Sequence, residues 1–185
     1  MLSSIYMSTE QTDSKLLRLR SKAVVYVDWA NVYGWNKSLK RKISLVKLYG
    51  YFNAYENVKD IRFYFGEDVN EKSKTFLSEV KTIGYTLVSK AVKYIASGKI
   101  YGQDILRRKC DFDMEISIDV HRALAEGVES FIFLSGDGDF APLYQMLIDL
   151  HKQVIVIYTQ GHIGREVWAI NRGIFKAQLK NIMDI

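Results

Sequence analysis

The chain has 185 residues, 48% of them hydrophobic and 25% charged, the balance of one soluble globular domain long enough to bury a core. No apolar run approaches the roughly 20 residues of a membrane span, and Thr9 to Ser14 is polar where a secretory signal would be apolar, so no membrane association is expected and the cytoplasm is the expected compartment. The net charge of +5 fits a polyanionic partner, RNA or DNA, without requiring one, while the single Cys110 excludes an internal disulfide and a thiolate zinc site.

Residues 1–22 read as a flexible polar tail, with a basic turn or two at Lys15 to Lys22, and 23–185 as the domain. Ala23 to Val27 is a continuous β-branched and aromatic run ending at Asp28, the mark of a strand buried on both faces. Ser44 to Tyr55 places Leu45, Leu48, Tyr49 and Phe52 at helical spacing, and Val58 to Phe65 is the second strand. Glu71 to Ile83 is helical through Phe76, Leu77 and Val80, and Tyr85 to Ser89 is the third strand. A basic insertion near 90–109 then breaks the rhythm as a loop or hairpin. Asp113 to Ala125 is helical through Ile116, Val120 and Leu124, and Ser130 to Leu134 is the fourth strand. Pro142 to Leu150 is a helix with Asp139 as its cap, and Gln153 to Tyr158 is the fifth strand. Strands alternating with helices predict a three-layer α/β/α domain around a parallel sheet of about five strands.

In such a sheet ligands bind outside the carboxyl ends of the strands, and the acids gather there. The first strand ends at Asp28 with Asn31 close behind, and the fourth ends in Ser135-Gly136-Asp137-Gly138-Asp139. The helix before it opens with Asp111, Asp113, Glu115 and Asp119. Carboxylates this close repel, and a divalent cation relieves the repulsion, polarises a phosphoryl oxygen and acidifies a bound water. His121, His151 and His162 match no standard zinc spacing, so the donors are oxygens, which suits Mg²⁺ or Mn²⁺. Each acid also has a plain structural reading: Asp28 as a strand terminator, Asp113 or Asp139 as a helix cap, Asp119 and Glu115 on a solvated helix face, Asp111 and Asn31 in turns. Their coincidence at one sheet edge is what favours a metal site.

Three blocks carry a resemblance to a known family: Tyr26-Val27-Asp28-Trp29-Ala30-Asn31-Val32, Phe112-Asp113-Met114-Glu115-Ile116-Ser117-Ile118-Asp119 and Leu134-Ser135-Gly136-Asp137-Gly138-Asp139-Phe140. In order and spacing they resemble the NYN domain, the LabA-like branch of the PIN-like nucleases, over roughly Ala23 to Ile157. The resemblance implies a PIN-like α/β/α fold and a Mg²⁺- or Mn²⁺-dependent endoribonuclease that hydrolyses single-stranded RNA. It implies metal ligation by Asp28, Asp113, Asp119 and Asp137, with Asp139 beside them and Asn31 orienting Asp28 or the phosphate. The commonest second block enters through Lys-Gly-Val-Asp. Here Lys109-Cys110-Asp111-Phe112-Asp113 stands instead, so Asp111 and Asp113 compete for one place, and the six-residue gap to Asp119 favours Asp113.

The expected geometry is convergence of Asp28, Asp113, Asp119 and Asp137 on one pocket with Asp139 at its rim. Lys37 and Arg41 after the first block, with Arg107, Arg108 and Lys109 before the second, are the expected nucleic-acid contacts, and Trp29, Trp35, Tyr33 and Tyr94 are candidates for stacking on bases. For Trp29 core packing is the preferred reading, and a homodimer is compatible with the sequence. The alternative function is an RNA- or protein-binding module of the same fold with little or no catalysis. A haloacid-dehalogenase-type phosphatase fits poorly, because its Asp-x-Asp belongs after the first strand.

Overall fold

Why the chain folds as it does is clearest in its central strands. A computed structural model describes residues 17–100 and 103–183. Strand β1 (Ala23–Asp28) pairs in parallel with β2 (Val58–Glu67) on one side and β6 (Ser130–Leu134) on the other. The sheet continues outward to β3 (Thr86–Ala91) beyond β2, and to β7 (Gln153–Tyr158) and β8 (Ile174–Gln178) beyond β6, in the order β3-β2-β1-β6-β7-β8. All five pairings are parallel.

Side chains of a strand alternate between faces, so the continuous apolar runs feed two cores. Val25, Val27, Ile132, Leu134, Ile155 and Ile157 face α1 (Trp29–Leu39), α2 (Leu45–Asn53) and α3 (Glu71–Ile83). Val24, Tyr26, Phe131, Phe133, Val154 and Val156 face α4 (Asp113–Ala125), α5 (Ala141–Asp149) and α6 (Arg165–Ala169). On that second face Tyr26 stacks on Phe133 with ring centroids 5.0 Å apart. Each such fully buried side chain contributes about 1.5–3 kcal/mol of hydrophobic stabilisation.

The structure departs from the sequence expectations in four places. The sheet has six strands rather than about five, because β8 was not anticipated; its single buried residue, Ala177, leaves little periodic signal. Helix α1 begins at Trp29, directly after Asp28, where only a turn was expected. Asp139 does not cap α5: it lies inside a single 3₁₀ turn, Gly138–Phe140, and Phe140 precedes the helix. Residues 17–22, assigned to a flexible tail, pack on the domain, with Leu17 buried and bonded through its N–H to the Tyr55 hydroxyl. The rest of that tail lies outside the described residues. The basic insertion takes the hairpin form of the two expected, a two-stranded antiparallel ribbon of β4 (Lys93–Ile100) and β5 (Gln103–Lys109) separate from the main sheet. No helix among the described residues is long and apolar enough to cross a membrane.

Candidate active site at the carboxyl edge of the sheet

Strand order reverses between β1 and β6, and the crevice at such a switch point is where open α/β sheets bind ligands. Asp28 ends β1 at this crevice. Its carboxylate caps α1, accepting from the Asn31 N–H at 3.4 Å, and accepts from the Ser135 hydroxyl at 3.4 Å. The Asn31 side-chain oxygen accepts in turn from the Gly136 N–H at 3.3 Å, tying α1 to the loop after β6.

That loop makes close contacts at two glycines, and the backbone contact at Gly136 leaves no room for a side chain. A side chain on Gly136 would meet the backbone oxygen of His162 at 1.7 Å, and one on Gly138 would meet the Glu166 carboxylate at 2.4 Å. The Gly164 N–H bonds the Gly136 oxygen at 2.7 Å, completing the clasp between the β6 and β7 loops. Asp137 is thereby fixed, with its N–H on the Ser135 hydroxyl and its carboxylate accepting from the Asp139 N–H at 3.1 Å. Asp139 itself is exposed at the rim.

Asp113 is the first residue of α4, where the helix dipole favours an anion. It shares an electrostatic neighbourhood with Asp28, Asp137, Asp139 and Asp111. Asp119 does not join them, which corrects the expected convergence. It sits six residues further along α4, about 9 Å down the helix axis. There it is buried and fully engaged: Arg62 and Arg122 each reach its Oδ1 at 3.0 Å, and the Tyr64 hydroxyl donates to Oδ2 at 2.9 Å. Glu115 is bound by Lys90, whose Nζ lies 2.7 Å from both carboxylate oxygens. Asp111 is exposed, 3.8 Å from Lys109.

The remaining acids lack such compensation. Burial pushes the Asp28 carboxyl up to about 6, and the charges of Asp113 and Asp137 push in the same direction against the Asn31 N–H and the Ser135 hydroxyl. Asp113 is raised by burial and then by Asp137, Asp111 and Asp139, with Lys90 opposing. Tyr144 on α5 is wholly buried and its hydroxyl has no partner among the described residues; burial, then Asp28 and Asp137, hold its proton on. Among the described residues no three acidic, histidine or cysteine side chains form a ready ligand cage. The chemistry of the donor set nonetheless fits a hard divalent cation, which takes carboxylate oxygens and cancels mutual repulsion of this kind.

The family model of the NYN domain matches residues 22–170. The chain belongs to the NYN-domain family. Its sequence is 24% identical to the low amplitude and bright protein LabA of Synechococcus elongatus over 158 residues, covering 80% of this chain and 78% of that protein. Its fold is similar to the crystal structure of a Vibrio parahaemolyticus protein of unknown function, with a TM-score of 0.65 and 19% identity over 87% of this chain and 95% of that one. The domain therefore has a LabA-like sequence on an α/β, PIN-like fold of the nuclease type.

The basic residues of this NYN domain fall into distinct settings. Lys37 and Arg41 are exposed at and just beyond the last turn of α1. The neighbouring Ser38 hydroxyl lies 2.6 Å from His162 Nε2, which keeps that end of the helix beside the loop after β7. Arg108 serves as an anchor for the hairpin: it donates to the Gly66 oxygen at 3.1 Å and lies over the Phe65 ring, while Tyr94, its cross-strand partner, donates to Asp68. By alternation Lys93, Arg107 and Lys109 occupy the opposite face of the ribbon, and Arg107 and Lys109 are exposed. Trp29 and Trp35 are core residues, and Tyr33 is 63% exposed.

Sequence reasoning missed His162, Ser38, Glu166 and Tyr144. The run Gly161-His162-Ile163-Gly164-Arg165-Glu166 directly follows the fifth strand, so two glycines with charged neighbours were a signal for the first and third of these. Tyr144 is buried on an ordinary amphipathic helix and carried none.

Proposed function

We propose that this NYN domain is a Mg²⁺- or Mn²⁺-dependent endoribonuclease that hydrolyses phosphodiester bonds of single-stranded RNA. One observation carries the reading: at the switch point of a nuclease-type fold, Asp28, Asp113 and Asp137 share a neighbourhood in which burial and mutual charge raise Asp28 and Asp113, while other acids nearby are paired with Lys or Arg. Asp28, Asp113 and Asp137 are the residues that would hold the cation, with Asp139 at the rim. When bound, such a cation supplies Lewis acidity to the phosphoryl group and to a water nucleophile.

The chain's own residues do the rest. Asn31 links Asp28 to the β6 loop and so orients the carboxylate. The glycine clasp sets Asp137. The buried Tyr144 hydroxyl stays protonated at neutral pH and so adds no further negative charge to the surroundings of Asp28 and Asp137. Lys37, Arg41, Lys93, Arg107 and Lys109 provide exposed positive charge for a phosphate backbone. RNA is the proposed partner, the cytoplasm the proposed compartment.

The experiment is cleavage of end-labelled single-stranded RNA with Mn²⁺, with Mg²⁺ and with chelator, using the parent and Asp137→Asn. Cleavage that requires the cation and is lost in the variant is expected. A parent that binds RNA and never cuts it, with any divalent ion, identifies a binding module instead.

A further inference from the structure

Next to the acidic edge, on the α1 and α3 side of the sheet, lies a groove of about 540 Å³. Trp29, Tyr33, Phe65 and Phe76 line it with flat apolar surface, and Lys72 and Arg108 stand on it. Trp29 and Phe76 lie within 29° of parallel with centroids 5.9 Å apart, and Tyr33 tilts over Trp29 at 6.2 Å. Tyr33 is a large aromatic left 63% exposed beside other aromatics.

We infer that this groove is a seat for one unpaired nucleobase of the strand that crosses the acidic edge. The inference rests on the nuclease reading for the path of that strand; the seat itself rests on three features of the groove.

The first is shape and chemistry: aromatic walls give a base a stacking surface that any base can use. The second is charge. Arg108 is already fixed by the Gly66 oxygen and the Phe65 ring, so its guanidinium meets a base face or a phosphate with little ordering left to lose. Lys72 is exposed and has no acid drawn to it among the described residues, while the groove's Asp68 already accepts from Tyr94 and lies 4.0 Å from Arg108. The third is position. Trp29 and Ala30 follow Asp28 directly, so the groove adjoins the acids in the chain itself. A peptide is a poorer occupant, because β2 is paired on both sides and offers no strand edge to an extended backbone.

The test is equilibrium binding of short single-stranded oligonucleotides in chelator, where no cation-dependent cleavage runs. Each position in turn carries an abasic ribose. In the parent, one position is expected to lose about tenfold in affinity when its base is removed, the usual size of a single base–aromatic stack. In Tyr33→Ala that position-specific loss should vanish, and Tyr33→Trp should restore it. Tyr33 is exposed, so melting temperatures should match the parent; a variant that melts early is replaced by Tyr33→Ser before the comparison is made. Deoxyribose oligonucleotides run in parallel show whether the sugar matters to the seat. No position-specific loss in the parent, or an equal loss in parent and Tyr33→Ala, overturns the seat, as does a failure of the parent to bind any oligonucleotide. The outcome is separable from the nuclease reading: a base-specific loss without cleavage in Mn²⁺ leaves the seat standing and removes the enzyme, and cleavage without a base-specific loss does the reverse.

Discussion

Two aspartates on one helix, Asp113 and Asp119, live in opposite electrostatic worlds. Asp119 is more deeply buried, yet two guanidiniums and a phenol satisfy it. Asp113, less buried, feels the charges of Asp28, Asp137, Asp111 and Asp139 with only Lys90 opposing them, and that lysine is already bound to Glu115. A buried carboxylate with good partners does structural work; carboxylates crowded together without partners cost stability and persist where something else compensates them. The difference separates the scaffold of this NYN domain from its candidate chemistry.

Breaking the satisfied acid should have the largest effect. Asp119→Ala leaves the buried Tyr64 hydroxyl without its acceptor and Arg62 with Asp60 alone, and losing the charged acceptor of buried donors costs up to about 3 kcal/mol. Chemical denaturation should show it, whereas Asp113→Asn should be neutral or stabilising in chelator. Equal destabilisation by the two would erase the contrast.

Asp137→Asn should stay folded and lose cleavage by about a hundredfold or more, since even a supporting partner of a metal ligand is worth 10- to 100-fold. A variant that cuts RNA at the parent rate would take Asp137 out of the site.

Asp28 tests the same contrast through pH. Its carboxyl is raised to about 6, so the folded state holds the proton more tightly than the unfolded chain. The resulting contribution to stability is present at low pH and fades as pH rises from about 4 through 6. Asp28→Asn keeps the cap on α1 and removes the titration. In chelator it should gain on the order of 2 kcal/mol over the parent at pH 7 and little at pH 4. Urea melts at the two pH values measure this, and a gain that does not depend on pH would contradict it.

The smallest effect belongs to the hairpin. Arg107→Ala with Lys109→Ala should weaken RNA binding and reduce the salt slope by about one unit per lost phosphate contact, with unchanged melting. Arg108→Ala should also loosen the hairpin, because an isolated two-stranded ribbon is marginal and this one is held at its base by Arg108 and Tyr94. Limited proteolysis of the 93–109 segment separates the two variants.

Much of this was legible in the chain. Ala23 to Val27, Ser130 to Leu134 and Gln153 to Tyr158 announce buried parallel strands through near-continuous β-branched and aromatic runs, and α3 and α4 keep their predicted bounds because their apolar residues recur at helical period. The acids at the ends of β1 and β6 follow from topology alone, since parallel strands bring their carboxyl ends to one edge. Pairing is another matter. Asp113 and Asp119 look alike in sequence, and only the packing of β2 against α4 places Arg62 and Tyr64 under one of them and nothing comparable under the other. Likewise Arg107 and Arg108 are neighbours in a basic run, and strand alternation turns one to solvent and the other onto Phe65. Local sequence sets which residues reach the edge of the sheet; which of their charges stay uncompensated depends on partners distant in the chain, and that only the tertiary structure decided.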